Sequence, residues 1–558
     1  LDNRAPLTVH LCAPSISVRF AAAARCAALL GGLAGPCLAA RVAETPARPQ
    51  AASPAADRFD LNEIRVEGST VLPQEQVEEA VYPYLGPGRT AADVDAARRA
   101  LQESYTHAGF VTVTVNPGRW IDRASGVVGL RVVERPVERL RVTHARYFMP
   151  DAVRAGAPSV APGTIPNIHA LQADLVGLNQ LPDRTVQPLL RPGRRPDTVD
   201  VDLDVADKLP VHGSLEVNNR YNADTHAERL DASLTYGNFF QRGDSATINY
   251  SVAPENVADS EVESASYLFH IPDSRLSLLF SYLHSNSNVV ALGSTDVAGR
   301  GTTAGFRLLI PLGSTTDGPD RSFTHSFSVG WDYKSYFELD QFKANNTLTY
   351  APVTYYPLNA NYAADWKTRA SVTDINLGVE LGVGGLSSSA TDFDNKRYAA
   401  VPGFSIARVT VSREQDLPRD VQLWGSVTGQ ISNQPLVSSE QLGIGGADTV
   451  RGYLEAEALG DYGAVAQTEV RSPDLKKYVG GPVHAWRFHL FTDVGLVNLR
   501  DPTPQQHFAY GLASVGIGTR VNLWGYLNGS VQDAQTVESG PDTKAGTNRV
   551  LFRVFGEF

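Results

Sequence analysis

Residues 445–471 read GGADTVRGYLEAEALGDYGAVAQTEVR. From Gly463 the stretch alternates like a half-exposed β-strand, whereas its first part is rich in glycine and carries Arg451 inside "TVRGY". A turn between strands needs glycine, asparagine or aspartate to satisfy its backbone, and has no use for an arginine. The flanking segments "DVQLWGSVTGQIS" (420–432) and "GAVAQTEVRS" (463–472) read as neighbouring strands. About 30 residues, 433–462, therefore connect them, a length that marks a loop as functional or disordered.

The next strand supplies a counterpart. In "AWRFHLFTDVGLV" (485–497), Trp486, Phe488, Leu490, Val494 and Leu496 share one face. Successive side chains of a strand point to opposite faces, so Arg487, His489, Phe491, Asp493 and Gly495 share the other. An apolar face of that size belongs against lipid, which puts Asp493 and Phe491 on an inner wall. Glu469, in "QTEVR", faces the same interior.

From Val211 to the last residue the pattern repeats. "HGSLEVNNR", "RLDASLTYG", "SATINYSVA", "RLSLLFSYLH" and "NRVLFRVFGEF" alternate between turn-rich stretches. Tight connections such as "IPDS" contrast with the long polar one after "SYLHSNSN", the asymmetry of an outer-membrane barrel. At roughly 22 residues per strand and connection, residues 210–558 accommodate about 16 antiparallel strands. Val550, Phe552, Val554 and Phe558 fall on one face and carry the alternation to the terminus.

Composition sets limits on the rest. The chain has 558 residues, a formal net charge of -11 and 20% charged residues. An acidic surface does not neutralise phosphates, so nucleic acid is not an expected partner. No apolar run reaches the ~18 residues of a spanning helix. The three cysteines, Cys12, Cys26 and Cys37, lie in residues 1–40, where "RCAALLGGLAGPCLAA" reads as a secretory signal. Residues 41–58 form a Pro/Ala-rich linker.

Two small α/β units precede the barrel. In residues 59–136, "FDLNEIRVEGS" is a strand with a turn at Gly68, and "PQEQVEEAVYPYL" is a helix. A second helix starts at the Thr90/Asp93 capping pair, buries Val94, Ala97, Leu101 and Tyr105, and ends at Gly109. "FVTVTVNP" alternates, with Val111, Val113 and Val115 on one face, and "GVVGLRVVERPV" closes the unit. Residues 137–209 repeat the order: "VERLRVTHARYF", a helix capped by Asn167 with a stripe of Ile168, Leu171, Leu175 and Leu178, then "TVDVDLDVADK". In that last strand Val199, Val201, Leu203 and Val205 point inward. Asp200, Asp202 and Asp204 form a straight row opposite, expected to be a solvated face rather than a calcium cage.

This strand–helix–helix–strand–strand unit, occurring twice after a signal, resembles the POTRA domain. With "VRGY" in a long loop and "FTDVG" on a later strand, the chain resembles the POTRA-barrel superfamily, and within it the two-partner-secretion transporters, the TpsB (ShlB/FhaC/HecB) family. The resemblance covers essentially the whole mature chain. It implies that loop 433–462 folds into the lumen, that Arg451 pairs with wall residue Asp493, and that Val450, Gly452 and Tyr453 form the loop tip. Glu469, Phe491 and Gly495 then belong to the network around it. A barrel of this size has a wet lumen, so the ion pair is expected to be half-shielded.

The resemblance also implies a monomeric outer-membrane pore, with its POTRA domains in the periplasm. It would recognise an unfolded exoprotein of haemolysin or adhesin class there and pass it to the cell surface. A BamA-type insertase, which builds other barrels into the membrane, is the alternative. Pro46, Pro49 and Pro54 argue against the N-terminal plug helix that members such as FhaC carry. No GxxxxGK[ST], HExxH or GxSxG pattern occurs, so neither an enzyme nor a cofactor is expected, and transport would proceed without nucleotide.

Overall fold

The structure, a computed structural model, describes residues 58–558 except 118–119, 123, 224, 273, 288, 293–294, 299, 319, 338 and 343–346. The segments read as signal peptide, linker and site of any plug helix fall in residues 1–57, outside the described residues. The described chain divides into two compact units between Lys208 and Leu209.

The N-terminal unit contains two α/β modules. In the first, helix Ala91–His107 begins where the Asp93 carboxylate accepts the Thr90 backbone N–H at 2.8 Å. Its Ala97, Leu101 and Tyr105, spaced four apart, are fully buried, the last two in one core with Val113, Val115, Leu130 and Val132. Strand Glu63–Glu67 runs parallel to Val127–Val133, which pairs antiparallel with Thr114–Asn116 and Trp120–Asp122. Val111 departs from its expected face. It lies in a turn ahead of Thr114 and is exposed, because the strand starts only after the chain has left the helix.

In the second module, Val137–Thr143 and Arg184–Pro192 flank the central strand Val199–Asp207. Helices Pro150–Ala155 and Ile168–Leu178 cover one face, and Val199, Val201, Leu203 and Val205 are buried beneath them. The aspartate row is a correction. Asp200 and Asp202 are buried under Arg139 and Arg141 of the neighbouring strand, and only Asp204 stays exposed. Alternation identified the face but not the position. A central strand has a neighbour on both sides, and here the parallel neighbour carries Arg139 and Arg141 in register with the two aspartates. Asn167 ties the modules together: its Oδ1 caps the helix at His169 N–H (2.9 Å), and its Nδ2 donates to the Ala108 carbonyl (2.8 Å).

The second unit is a closed antiparallel barrel of 16 strands. They are β1 Val211–Asn218, β2 Arg229–Phe239, β3 Asp244–Val252, β4 Glu261–His270, β5 Ser277–Ser285, β6 Gly301–Thr316 and β7 Ser322–Tyr336. β8 has two segments, Val353–Tyr355 and Leu358–Thr368, both paired with β7. β9 Ser371–Leu381, β10 Ser405–Leu417, β11 Val421–Ser432 and β12 Tyr462–Arg471 follow. β13 Val483–Asn498, β14 Ala509–Leu523, β15 Leu527–Thr536 and β16 Asn548–Glu557 complete the wall.

β16 closes on β1, with Glu557 opposite Ser214 and Arg553 opposite Asn218. Beyond the ladder, Gly213 and Phe558 exchange backbone hydrogen bonds of 3.2 and 3.0 Å. Outward residues such as Leu234, Ile248, Val427, Leu490 and Ile517 are exposed, although all are large and apolar. Such a continuous outer band is stable only against lipid. The ladder satisfies the wall's backbone groups without water, as a lipid environment requires.

Candidate functional site: a loop folded into the barrel

Between β11 and β12 the chain turns inward. Leu442–Ile444 and Ala458–Gly460 pair as a short hairpin stem within the loop. Gly445 and Gly446 follow the stem at φ of +107° and +100°. A Cβ on Gly445 would stand 2.5 Å from the Leu454 carbonyl oxygen, a backbone atom, so glycine is required where the loop narrows.

The tip meets the wall at β13. Arg451 donates from Nε to Asp493 Oδ2 at 2.6 Å and from Nη2 to Oδ1 at 2.7 Å. Its backbone N–H also reaches Oδ2, at 3.1 Å. This is the parallel two-bond fork that a guanidinium makes with a carboxylate and a lysine cannot. The guanidinium carbon lies 3.7 Å from the Phe491 ring centroid, giving a cation–π contact on the same strand. Nη1 donates to Glu469 of β12 at 2.6 Å and lies 3.3 Å from Gln532 Oε1 of β15.

Glu469 joins three cations. Arg520 of β14 holds both of its oxygens at 2.8 Å, and Arg471 donates to Oε2 at 2.9 Å. Arg471 passes the chain on to Glu414 of β10, at 2.7 Å.

Arg451 is 2% exposed and Asp493 0%. The expected half-shielded pair is thus a buried one, because the loop tip itself excludes solvent from this part of the lumen. Removing one member of a buried pair costs about 3–5 kcal/mol, against about 0.2–1 kcal/mol for an exposed pair.

The other tip residues fit by shape. A Cβ on Gly495 would come within 2.9 Å of Val450 Cγ2, so this glycine leaves the space that Val450 fills. Gly452, at φ +93°, faces Ala534 and Thr536 of β15. Tyr453 is buried; its hydroxyl donates to the Glu538 carbonyl at 2.6 Å and accepts the Ala513 N–H at 3.3 Å. Two glycines of β14 also make room: a Cβ on Gly516 would strike Phe491 and one on Gly518 would strike His489.

Sequence reasoning missed Arg520, Arg471 and Gln532. The signal for them is the alternation used for Asp493. On β14, exposed Val515 and Ile517 place Ser514 and Arg520 inside, and on β12 Arg471 shares the face of Glu469.

Periplasmic-type α/β modules on a 16-strand barrel, with a lumenal loop bonded to the wall, define a transport barrel of the POTRA superfamily. Comparison with known proteins narrows this. Residues 197–521 match the family described as haemolysin secretion/activation protein ShlB/FhaC/HecB, and residues 59–135 match the ShlB-type POTRA domain. The chain belongs to that family and is an outer-membrane transporter of two-partner-secretion type, with its POTRA modules in the periplasm.

Among relatives, the outer membrane transporter CdiB of Dickeya dadantii (strain 3937) is 24% identical over 430 residues, 74% of this chain and 72% of that one. The heme/hemopexin transporter protein HuxB of Haemophilus influenzae is 20% identical, covering 74% and 72%. Among solved structures, CdiB from Escherichia coli aligns with a TM-score of 0.57 at 19% identity, over 92% of this chain and 93% of that one. BamA from Haemophilus ducreyi, lacking POTRA domains 1–3, aligns at 0.54 and 13% identity, over 90% and 100%. The BamA likeness is one of fold alone, and family membership goes to the secretion transporters rather than to an insertase.

Proposed function

We propose that this transporter moves one large, unfolded exoprotein from the periplasm through the lumen to the cell surface, and that the loop held by Arg451 is a working part of the conduit. The observation that carries this reading is the buried bonding of a long loop to the inner wall through Arg451, Asp493 and Glu469. Loop docking of that kind is not needed to keep the barrel's hydrogen-bond ladder intact, so it calls for a role in passage. Val450, Gly452, Tyr453, Phe491 and Gly495 serve as the shaped surface against which the arginine is held.

Capture is assigned to the modules. Strand Glu63–Glu67 is paired on one side only among the described residues and has no proline, so an extended client can add to it as a strand. The opposite edge of the second module, Arg184–Pro192, is interrupted by Pro188, which removes a donor from the ladder. Net movement comes from folding of the client outside, which depletes the unfolded chain without nucleotide.

Deleting residues 59–209 tests this assignment. A folded, heat-modifiable barrel that secretes nothing is expected, and normal secretion by the isolated barrel would refute it. Depleting the whole protein is expected to remove one secreted protein. Loss of many unrelated outer-membrane proteins would point to an insertase.

A further inference from the structure

The loop touches the wall in a second place. Glu440 lies ahead of the hairpin stem, on the loop's first limb, whereas Arg451 lies at the tip; Glu440 is 1% exposed. Lys334 of β7 donates to Glu440 Oε1 and to Glu380 Oε1 of β9, at 2.7 Å each. Tyr355 of β8 donates to the same Glu440 oxygen at 2.5 Å. Arg408 of β10 donates to the Glu440 carbonyl at 3.2 Å and pairs with Glu380, also at 3.2 Å. Gln430 of β11 donates to that carbonyl at 2.9 Å. Five consecutive strands, β7 to β11, each contribute one side chain to this cluster.

Around the tip, the groups that Arg451 and Glu469 bond directly come from the next four strands: Glu469, Asp493, Arg520 and Gln532 lie on β12 to β15. The two clusters share no side chain. The first cluster is balanced in charge, with Lys334 and Arg408 facing Glu440 and Glu380; around the tip Arg451, Arg471 and Arg520 face Asp493, Glu469 and Glu414, the last on β10. Sites without shared partners respond to substitution independently, whereas members of one network do not.

We propose that Glu440, seated between Lys334, Tyr355, Arg408 and Gln430, is a second and independent latch on the in-folded loop, so that the first limb and the tip leave the wall separately. Glu440 and Lys334 are then positioning residues. They fix the first limb against β7–β11, while Arg451 fixes the tip against β12–β15. Releasing the tip alone leaves the first limb across its own arc of the lumen, and full withdrawal requires both clusters to open. Tyr355 also packs on Phe393, at 5.6 Å between ring centroids, in helix Ala390–Lys396 of the β9–β10 connection. The first latch is thereby joined to that connection as well as to the wall. The proposal rests on the reading of the loop as part of the conduit.

The test uses the full chain in outer membranes and two single-cysteine reporters at buried loop positions, V437C on the first limb and V450C at the tip. The natural cysteines lie only at positions 12, 26 and 37. Labelling by a small water-soluble maleimide is timed. Glu440→Gln is expected to speed labelling at 437 by about tenfold and to leave 450 within about twofold, and Arg451→Ala to do the reverse. Lys334→Met should reproduce the Glu440→Gln pattern. Tyr355→Phe, which deletes one hydroxyl, provides a smaller change at 437 in a variant that keeps every charge.

A rise at both reporters in either single variant, or no rise at 437 in any of the three, would overturn the second latch. A general loosening of the barrel would move both reporters together and so does not mimic the expected pattern. Secretion is scored in parallel. Separate labelling with unimpaired secretion would leave the latch standing and refute the conduit reading.

Discussion

In the second module, Arg139 and Arg141 reach from one strand to Asp200 and Asp202 on its neighbour. In the barrel, Arg451 reaches from a loop to Asp493 and Glu469 on two strands. The carboxylates are buried in both places, but the cations differ: the Arg139 and Arg141 side chains are 32% and 44% exposed, that of Arg451 only 3%. The strands that Arg139 and Arg141 join are already held by a parallel ladder from Val137 to Thr143. The tip has no ladder to the wall, and its side chains hold it there. The same ion-pair chemistry is therefore a supplement in one region and the attachment itself in the other.

Arg451→Ala should give the largest effect. It strands Asp493 in a buried site, at about 3–5 kcal/mol against the docked loop. Secretion should be abolished while heat-modifiable mobility, which reports the strand ladder, stays normal. Arg451→Lys should recover little, since an ammonium cannot supply the fork to Asp493 together with the bond to Glu469.

Glu469→Gln comes next. It removes a charge shared by Arg451, Arg471 and Arg520 but leaves the Asp493 fork. Loss of a charged hydrogen-bond partner costs about 1.5–3 kcal/mol, so secretion assays should show partial loss. In the module, Arg141→Met should lower stability by only about 1 kcal/mol, because the pair is half-open to water and Arg191 stays 3.5 Å from Asp202. Hydrogen exchange in Val199–Asp207 measures this, and a loss as large as that at Arg451 would erase the contrast between the regions.

The smallest effect concerns pH. Bonds from the Arg195 backbone N–H and the Thr198 hydroxyl hold the Glu138 carboxyl down, at about 2. A folded-state value below the unfolded one means a contribution present above the unfolded value, near 4.5, and lost as pH falls through the folded one. Glu138→Gln should therefore flatten a slight loss of module stability between pH 4.5 and 2, followed by exchange at residues 193–198.

What could be read from sequence follows from which contacts are local. The lumenal face of β13, and with it Asp493, follows from strict alternation, as does Glu469 on β12. That Arg451 lies opposite them came from the resemblance, since no periodicity connects a loop residue to a strand 42 positions away. The Glu440 cluster was invisible, because bringing Lys334, Glu380 and Arg408 together needs the register of three strand pairs. Burial of Asp200 and Asp202 was missed for a related reason. The strand that makes theirs central, Arg184–Pro192, contains Pro188 and does not read as a strand.

The central claim is that Arg451 and Asp493 act as one unit that holds the loop for transport. Its most direct test is client secretion measured for Arg451→Ala, Asp493→Ala and the double variant, at equal amounts of heat-modifiable barrel. The double variant should be little worse than Arg451→Ala alone, because the second substitution removes a partner already lost. Losses that multiply would show the two residues acting separately and would contradict the claim.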